Sequence, residues 1–175
     1  DDDPAGTPGY TGETTNNITI DRLYTGFISL LKEARVLQPD GSLKLANPND
    51  PASGADFSIT PLQAAPGEFI EYRIRYENIS ESAAGAAGSI DLTAGSFSIL
   101  EDGTTAPNNW ADFTAHQQNT VASDGIVEYY TNSGDPTPAS TTDPASGTTV
   151  QEYQNDVGSV APSDTGEFTF RRLVD

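Results

Sequence analysis

The sequence predicts an all-β protein, two antiparallel sheets packed as a sandwich, and three observations carry the prediction. Segments with strand character recur at short intervals, separated by turns rich in Pro, Gly, Asn and Asp. One of them, FIEYRIRY, alternates strictly. Ile70, Tyr72, Ile74 and Tyr76 fall on one face and Glu71, Arg73, Arg75 and Glu77 on the other, the period of a half-buried strand. Hydrophobic residues make up 35% of the 175 residues while Gly, Pro, Ser, Thr and Ala abound, which suits short strands and turns better than helices. A chain of 18.5 kDa has room for one well-filled domain, or for one domain with an ordered extension, and two full domains are not expected.

Taken in order, residues 1–17, DDDPAGTPGYTGETTNN, carry Tyr10 as their one large apolar group and read as a flexible acidic lead. Residues 18–37, ITIDRLYTGFISLLKEARVL, are the most apolar stretch. Phe27, Leu30, Leu31 and Ala34 have helical spacing, whereas Ile18, Ile20 and the Tyr, Phe and Ile that follow suit strands; one or two strands are expected, with a helical turn as the alternative. Pro39-Asp40-Gly41 marks a hairpin turn between ARVL and SLKL, because Pro presets φ and Gly accepts a positive φ. ADFSIT and then APGEFIEYRIRYENIS supply further strands. SESAAGAAGS, residues 80–89, has no large side chain and reads as a loop or a close backbone crossing. IDLTAGSFSIL gives one or two short strands, and EDGTTAPNNW is turn chemistry ending at Trp110, an expected core or rim anchor. IVEYY is a strand, residues 131–147 a long polar loop, and TTVQEYQNDVGSV and GEFTFRRLVD the closing strands.

Twenty-six Asp and Glu oppose eight Lys and Arg, for a net charge of -18. No basic residue lies between Arg75 and Arg171, which leaves fourteen carboxylates in that span without a local partner. Such a surface repels nucleic acid and anionic membranes. It keeps an exposed protein soluble and attracts divalent cations as possible partners. Cys and Met are both absent, which rules out disulfides and thiol chemistry and removes the two side chains most easily oxidised, as suits an extracellular life. No apolar run is long enough to insert in a membrane as a helix. The abrupt DDDP start reads as a processed segment whose secretory signal was removed upstream.

Nothing in the motifs points to an enzyme. His116, the sole histidine, reads as a surface or turn residue in FTAHQQN, and no nucleophile elbow, phosphate loop or HExxH occurs. Carboxylates beside turns at 1–3, 101–103 and 123–125 do not match an EF-hand loop. No catalytic residue, metal ligand or cofactor is therefore expected. Arg73 and Arg75 are expected to meet Glu or Asp across neighbouring strands or on an adjacent subunit.

An internal echo ties distant segments together. DPASG occurs at 50–54 and at 143–147, and each copy is followed by a strand, an Ala-Pro turn and GEF opening a second strand, APGEFIEYRIRY and APSDTGEFTFRRLV. The order of these parts predicts two similar strand-turn-strand units in one sandwich.

PGEFIEYRIRYEN resembles the signature of a class of bacterial cell-surface repeat domains of unknown function, through Pro66, Gly67, Glu68, Tyr72, Ile74 and Asn78. ISLLKEARVLQPDG resembles the Lys-bearing first strand of those domains, with Lys32 at the matching position, and NNW, VAPSDTGEFTF and RRLV resemble a cyanobacterial variant. The resemblance spans about residues 28–175. It implies an immunoglobulin-like antiparallel β-sandwich with an extended N-terminal strand, at an extracellular location on a bacterial cell surface. It also implies a candidate internal isopeptide bond from Lys32 to Asn78 or Asn155 beside a carboxylic acid. The chain departs from the pattern in the small-residue loop at 80–89 and in the apolar residues 18–27 that precede the first strand.

Residues 1–17 are thus expected as a lead, 18–31 as an apolar strand open to exchange with a neighbour, and 32–175 as the sandwich. The expected function is a structural subunit of an extracellular filament or surface layer, a pilus-like homopolymer. Ile18, Ile20, Leu23, Tyr24, Phe27, Ile28 and Leu30 would form the assembly strand that completes the sheet of the next copy. The alternative is a stalk or adhesion module binding polysaccharide or a cell surface through an aromatic platform of Tyr129, Tyr130 and Trp110.

Overall fold

The computed structural model describes residues 27–44, 57–60, 63–80, 92–106 and 108–175. Its strands are β1 (Ile28–Leu37), β2 (Phe69–Asn78), β3 (Ala94–Asp102), β4 (Thr114–His116), β5 (Ala122–Ser123), β6 (Ile126–Tyr130), β7 (Glu152–Val160) and β8 (Thr165–Val174). A 3₁₀ turn covers Trp110–Asp112. Two antiparallel sheets pack face to face, one ordered β1-β2-β8-β4 with β5 also on β8, the other β3-β7-β6. The protein is an all-β sandwich, and the alternation that predicts it is visible in β2: Ile74 and Tyr76 are buried while Arg75 and Glu77 are exposed.

The two echoed segments, β2 and β8, lie side by side. They pair antiparallel from Phe69 opposite Leu173 to Glu77 opposite Thr165. Tyr72 stands opposite Phe170, and their rings stack with centroids 5.0 Å apart. Phe168, Phe170 and Tyr153 form the centre of the core, all fully buried. Asn78 closes one end: its Nδ2 donates to the carbonyls of Leu92 at 2.7 Å and Val160 at 2.9 Å. That amide joins β2 to β7 of the other sheet, which satisfies a buried polar group and fixes the spacing of the layers.

Several elements differ from the expectation. The turn at Pro39-Asp40-Gly41 forms, with Gly41 at φ +84° and the amide of Gln38 donating to Ser42 at 2.7 Å. Among the described residues its second arm makes a bridge between Leu37 and Leu43. Of ADFSIT the described residues are 57–60, among which Ser58 exchanges two backbone hydrogen bonds of 3.0 Å with Ala34. By contrast β3 runs on through Glu101 and Asp102, residues expected in a turn. The short β4 and β5 come from a stretch with no strand period.

Residues 28–31, expected in the exchanged segment, form the start of β1 and pair with β2 of the same chain, Ile28 opposite Asn78 through Leu31 opposite Arg75. Phe27, just before them, continues the pairing, its carbonyl accepting from the amide of Ile79 at 2.8 Å. Ile18, Ile20, Leu23 and Tyr24 lie outside the described residues, as do the first DPASG and the loop at 81–91. The outer edge of β1 is bridged at Ala34 and Leu37. Among the described residues β3 pairs with β7 alone, and none of them pairs with its outer edge.

Candidate functional site

A polar cluster lies where β1 faces β3 across the sandwich. Lys32 stands opposite Ile74 in the register and therefore shares the core-facing side of β1. Its Nζ donates to Oδ1 of Asn108 at 2.5 Å and to Oε1 of Glu101. The same Glu101 oxygen accepts from Nδ2 of Asn108 at 2.6 Å and from the indole Nε1 of Trp110 at 2.9 Å. Glu101 is only 5% exposed, and a carboxyl group so placed needs donors converging on it. Nζ of Lys32 sits 4.8 Å from the centre of the Tyr72 ring, and burial, with the charge of Glu101 adding, pushes the Tyr72 phenol up to about 12.

The local sequence explains the convergence. Glu101 ends an inward-facing row of β3 with Ile99, both buried. Asp102 then anchors the turn, accepting from the Thr104 amide at 2.8 Å, and its carbonyl accepts from Nδ2 of Asn108 at 2.7 Å. Gly103 lies under the indole, where a Cβ would overlap the Trp110 ring. Only Gly permits Trp110 to close over Glu101 from that side.

A second network lies deeper. Arg172 is 1% exposed, and its guanidinium donates to Thr114 Oγ1 at 3.0 Å, Thr114 O at 2.7 Å, Val150 O at 3.0 Å and Tyr153 Oη at 3.0 Å. It also lies 4.3 Å from the Trp110 ring centre. Tyr153 Oη is 2.9 Å from Nδ1 of His116, and Nε2 of His116 faces Asp143 Oδ1 at 2.9 Å and Pro144 O at 3.2 Å. Both partners of Nε2 are acceptors, so Nε2 carries the proton and Nδ1 accepts from Tyr153. His116 is fully buried, which corrects the expectation of a surface residue. It has no face open to a substrate.

The outer face of the first sheet holds the basic pair of β2. Glu33 of β1 accepts from Arg73 Nη2 at 3.0 Å and from Arg75 Nε at 2.9 Å. Arg73 is directly opposite Glu33, and Arg75 is opposite Leu31, two residues away. Burial would raise the Glu33 carboxyl, but the hydrogen bonds from Arg75 and Arg73 outweigh it and hold the group below its usual range. Glu71 accepts from Arg35 at 3.2 Å and Arg171 at 2.9 Å, and Phe57 lies under Arg35 and Arg73 at 4.3 and 4.0 Å. Scarce cations are thus spent on one sheet face.

The structure brings Lys32 to Asn108 rather than to Asn78 or Asn155. Asn78 is committed to Leu92 and Val160. Asn155 Oδ1 accepts from Ser123 Oγ at 2.5 Å. Glu101 and Asn108 had a signal in the sequence only in hindsight, an acid and an amide on either side of a Gly turn before the sole Trp. Tyr129, Tyr130 and Trp110 are all buried and form no exposed platform. Among the described residues no group of three or more His, Cys, Asp or Glu could hold a metal ion, and no helix is long and apolar enough to cross a membrane. The chain matches no family model, no curated protein and no solved structure.

Proposed function

We propose that the chain is a structural subunit of an extracellular filament or surface layer, growing head to tail as residues 18–26 of one copy add as a strand beside β3 of the next. The observation that supports this reading is Leu30. It pairs with Tyr76 and so shares the core-facing side of β1, yet it is 56% exposed. A core-facing leucine left in water lacks the cover that a strand on the open edge of β3 would provide. The added strand gains main-chain hydrogen bonds from that edge and register from Ile18, Ile20 and Tyr24. Because donor segment and acceptor edge are different surfaces, the contact is heterologous and does not close, which makes a fibre. The acidic, Cys-free and Met-free composition fits an extracellular place. The adhesion reading loses support with the burial of its aromatic platform.

Electron microscopy and size-exclusion chromatography of the full chain and of a chain lacking residues 1–26 test the proposal. The full chain is expected to form fibres and the truncated chain to remain a folded monomer that a synthetic peptide of residues 17–27 binds. A full chain that stays monomeric at every concentration, or a truncated chain that unfolds, would place 18–26 in its own sandwich and end the proposal.

A further inference from the structure

We propose that Lys32 and Asn108 become joined by an intramolecular isopeptide bond, with Glu101 as the catalytic proton carrier. The inference is independent of strand addition and rests on three side chains. Nucleophile, carboxamide and acid–base group already touch: Nζ of Lys32 lies 2.5 Å from Oδ1 of Asn108, and Glu101 Oε1 contacts both Nζ and the Nδ2 that would leave. Such placement supplies the proximity that turns a very slow amide exchange into an intramolecular step. The carboxylate lies in the path of the proton, within hydrogen-bond reach of donor and acceptor.

The step balances without an oxidant, reductant or metal. Nζ of the lysine ammonium gives a proton to Glu101 and attacks Cγ of Asn108 with the freed pair. As the Nζ–Cγ bond forms, the carbonyl pair moves to Oδ1. On its return the Cγ–Nδ2 bond breaks, Nδ2 having taken a proton from Glu101. Ammonia leaves and takes up the second proton lost by Nζ, so one ammonium side chain and one carboxamide become one secondary amide and one ammonium ion.

The surroundings favour this outcome over hydrolysis. The indole of Trp110 and the ring of Tyr72 flank the cluster, and Glu101 is almost wholly buried, so water is kept from the carboxylate that would activate it, while Lys32 and Asn108 are half-buried. The pairing is also selective. The chain has two lysines, and the other, Lys44, donates to Glu68 at 2.7 Å and to Gln63 O at 2.9 Å, with no side-chain amide among those partners. The bond would tie β1 of one sheet to the turn after β3 of the other, across 76 residues of chain, at the edge strand on which a pulling force from an N-terminal neighbour would act.

Intact-mass spectrometry of the full chain tests it. The folded protein is expected to be one ammonia lighter than its sequence, and tandem sequencing of a protease digest is expected to find the peptide bearing Lys32 joined to the peptide bearing Asn108. The digest separates the bond from an asparagine succinimide, which also lacks one ammonia. Lys32→Arg and Asn108→Ala should restore the full mass, as should Glu101→Gln in a chain whose β circular dichroism is unchanged. A folded wild-type chain that keeps its full mass on long incubation overturns the proposal, whatever the variants do. A Glu101→Gln chain as light as wild type overturns the role of Glu101.

Discussion

His116 and Asp143 are joined at 2.9 Å between Nε2 and a carboxylate oxygen, at the outer end of a buried chain that runs through Tyr153 to Arg172. Burial depresses His116 below its ordinary 6.5 and outweighs the attraction of Asp143, with Arg172 pushing the same way as burial. The Tyr129 ring packs edge-on at 5.7 Å. A depressed pKa means that below 6.5 the unfolded chain takes up a proton the folded chain refuses, so the stability is fully present above that value and is lost as pH falls. The unfolding equilibrium should shift by up to about tenfold per pH unit on this account. Acidification also relieves the self-repulsion of a chain at -18, so the measurement is a difference. Urea midpoints from pH 7 to 5 should fall more steeply for wild type than for His116→Gln. Parallel curves would show that His116 titrates alike in both states.

Arg172 makes its four hydrogen bonds to neutral oxygens of Thr114, Val150 and Tyr153. Those bonds come from Nε, Nη1 and Nη2, a planar fork that one ammonium cannot reproduce. Arg172→Lys should therefore cost about 2–4 kcal/mol, since each lost bond involves a charged donor and leaves a buried acceptor unpaired. Chemical denaturation of the two chains checks it, and a cost below about 1 kcal/mol would mean that water replaces the fork.

Glu33 is shared by Arg73 and Arg75, with Arg75 half exposed. The carboxyl is held below its usual 4.5, so its contribution is fully present above about that pH and is lost as pH falls through the lowered value. Glu33→Gln should cost about 1 kcal/mol at neutral pH and less at pH 3, the scale of a partly exposed cross-strand pair. A double-mutant cycle should give a larger coupling to Arg73 than to Arg75, weakening in salt. Equal couplings would argue that exposure does not set the difference.

The strict alternation of β2 let the core faces of Ile74 and Tyr76 be read directly, because period two has one meaning in a sandwich. The GEF echo pointed to two strand-turn-strand units, of which the second strands, β2 and β8, form as neighbours, while before the first Ala-Pro turn the described residues carry a bridge at Ser58 in place of a strand. Lys32 was legible as a strand residue, but its partner was not. Asn108 reaches it through a turn whose shape depends on Gly103 yielding to Trp110, a contact between elements that no local period records. His116 misled for a similar reason. Its polar neighbours Gln117 and Gln118 suggest a surface, whereas its burial is set by Tyr153 on the opposite sheet.

Leu30 offers the sharpest test of the unfinished edge. It faces inward with Tyr76 but is more than half exposed, so replacing it in the isolated chain removes little buried surface. Leu30→Lys should leave the urea midpoint of the monomer within about 0.5 kcal/mol of wild type, as for other exposed positions, while abolishing fibre formation. Ile74, a buried residue on the core-facing side of β2, serves as the control: Ile74→Lys should unfold the domain, because it buries an unpaired charge. If Leu30→Lys instead costs about 2–5 kcal/mol, as loss of a buried leucine does, then Leu30 is already covered in the isolated chain. The strand that covers it would belong to the same molecule, and β3 would have no edge to offer a neighbour.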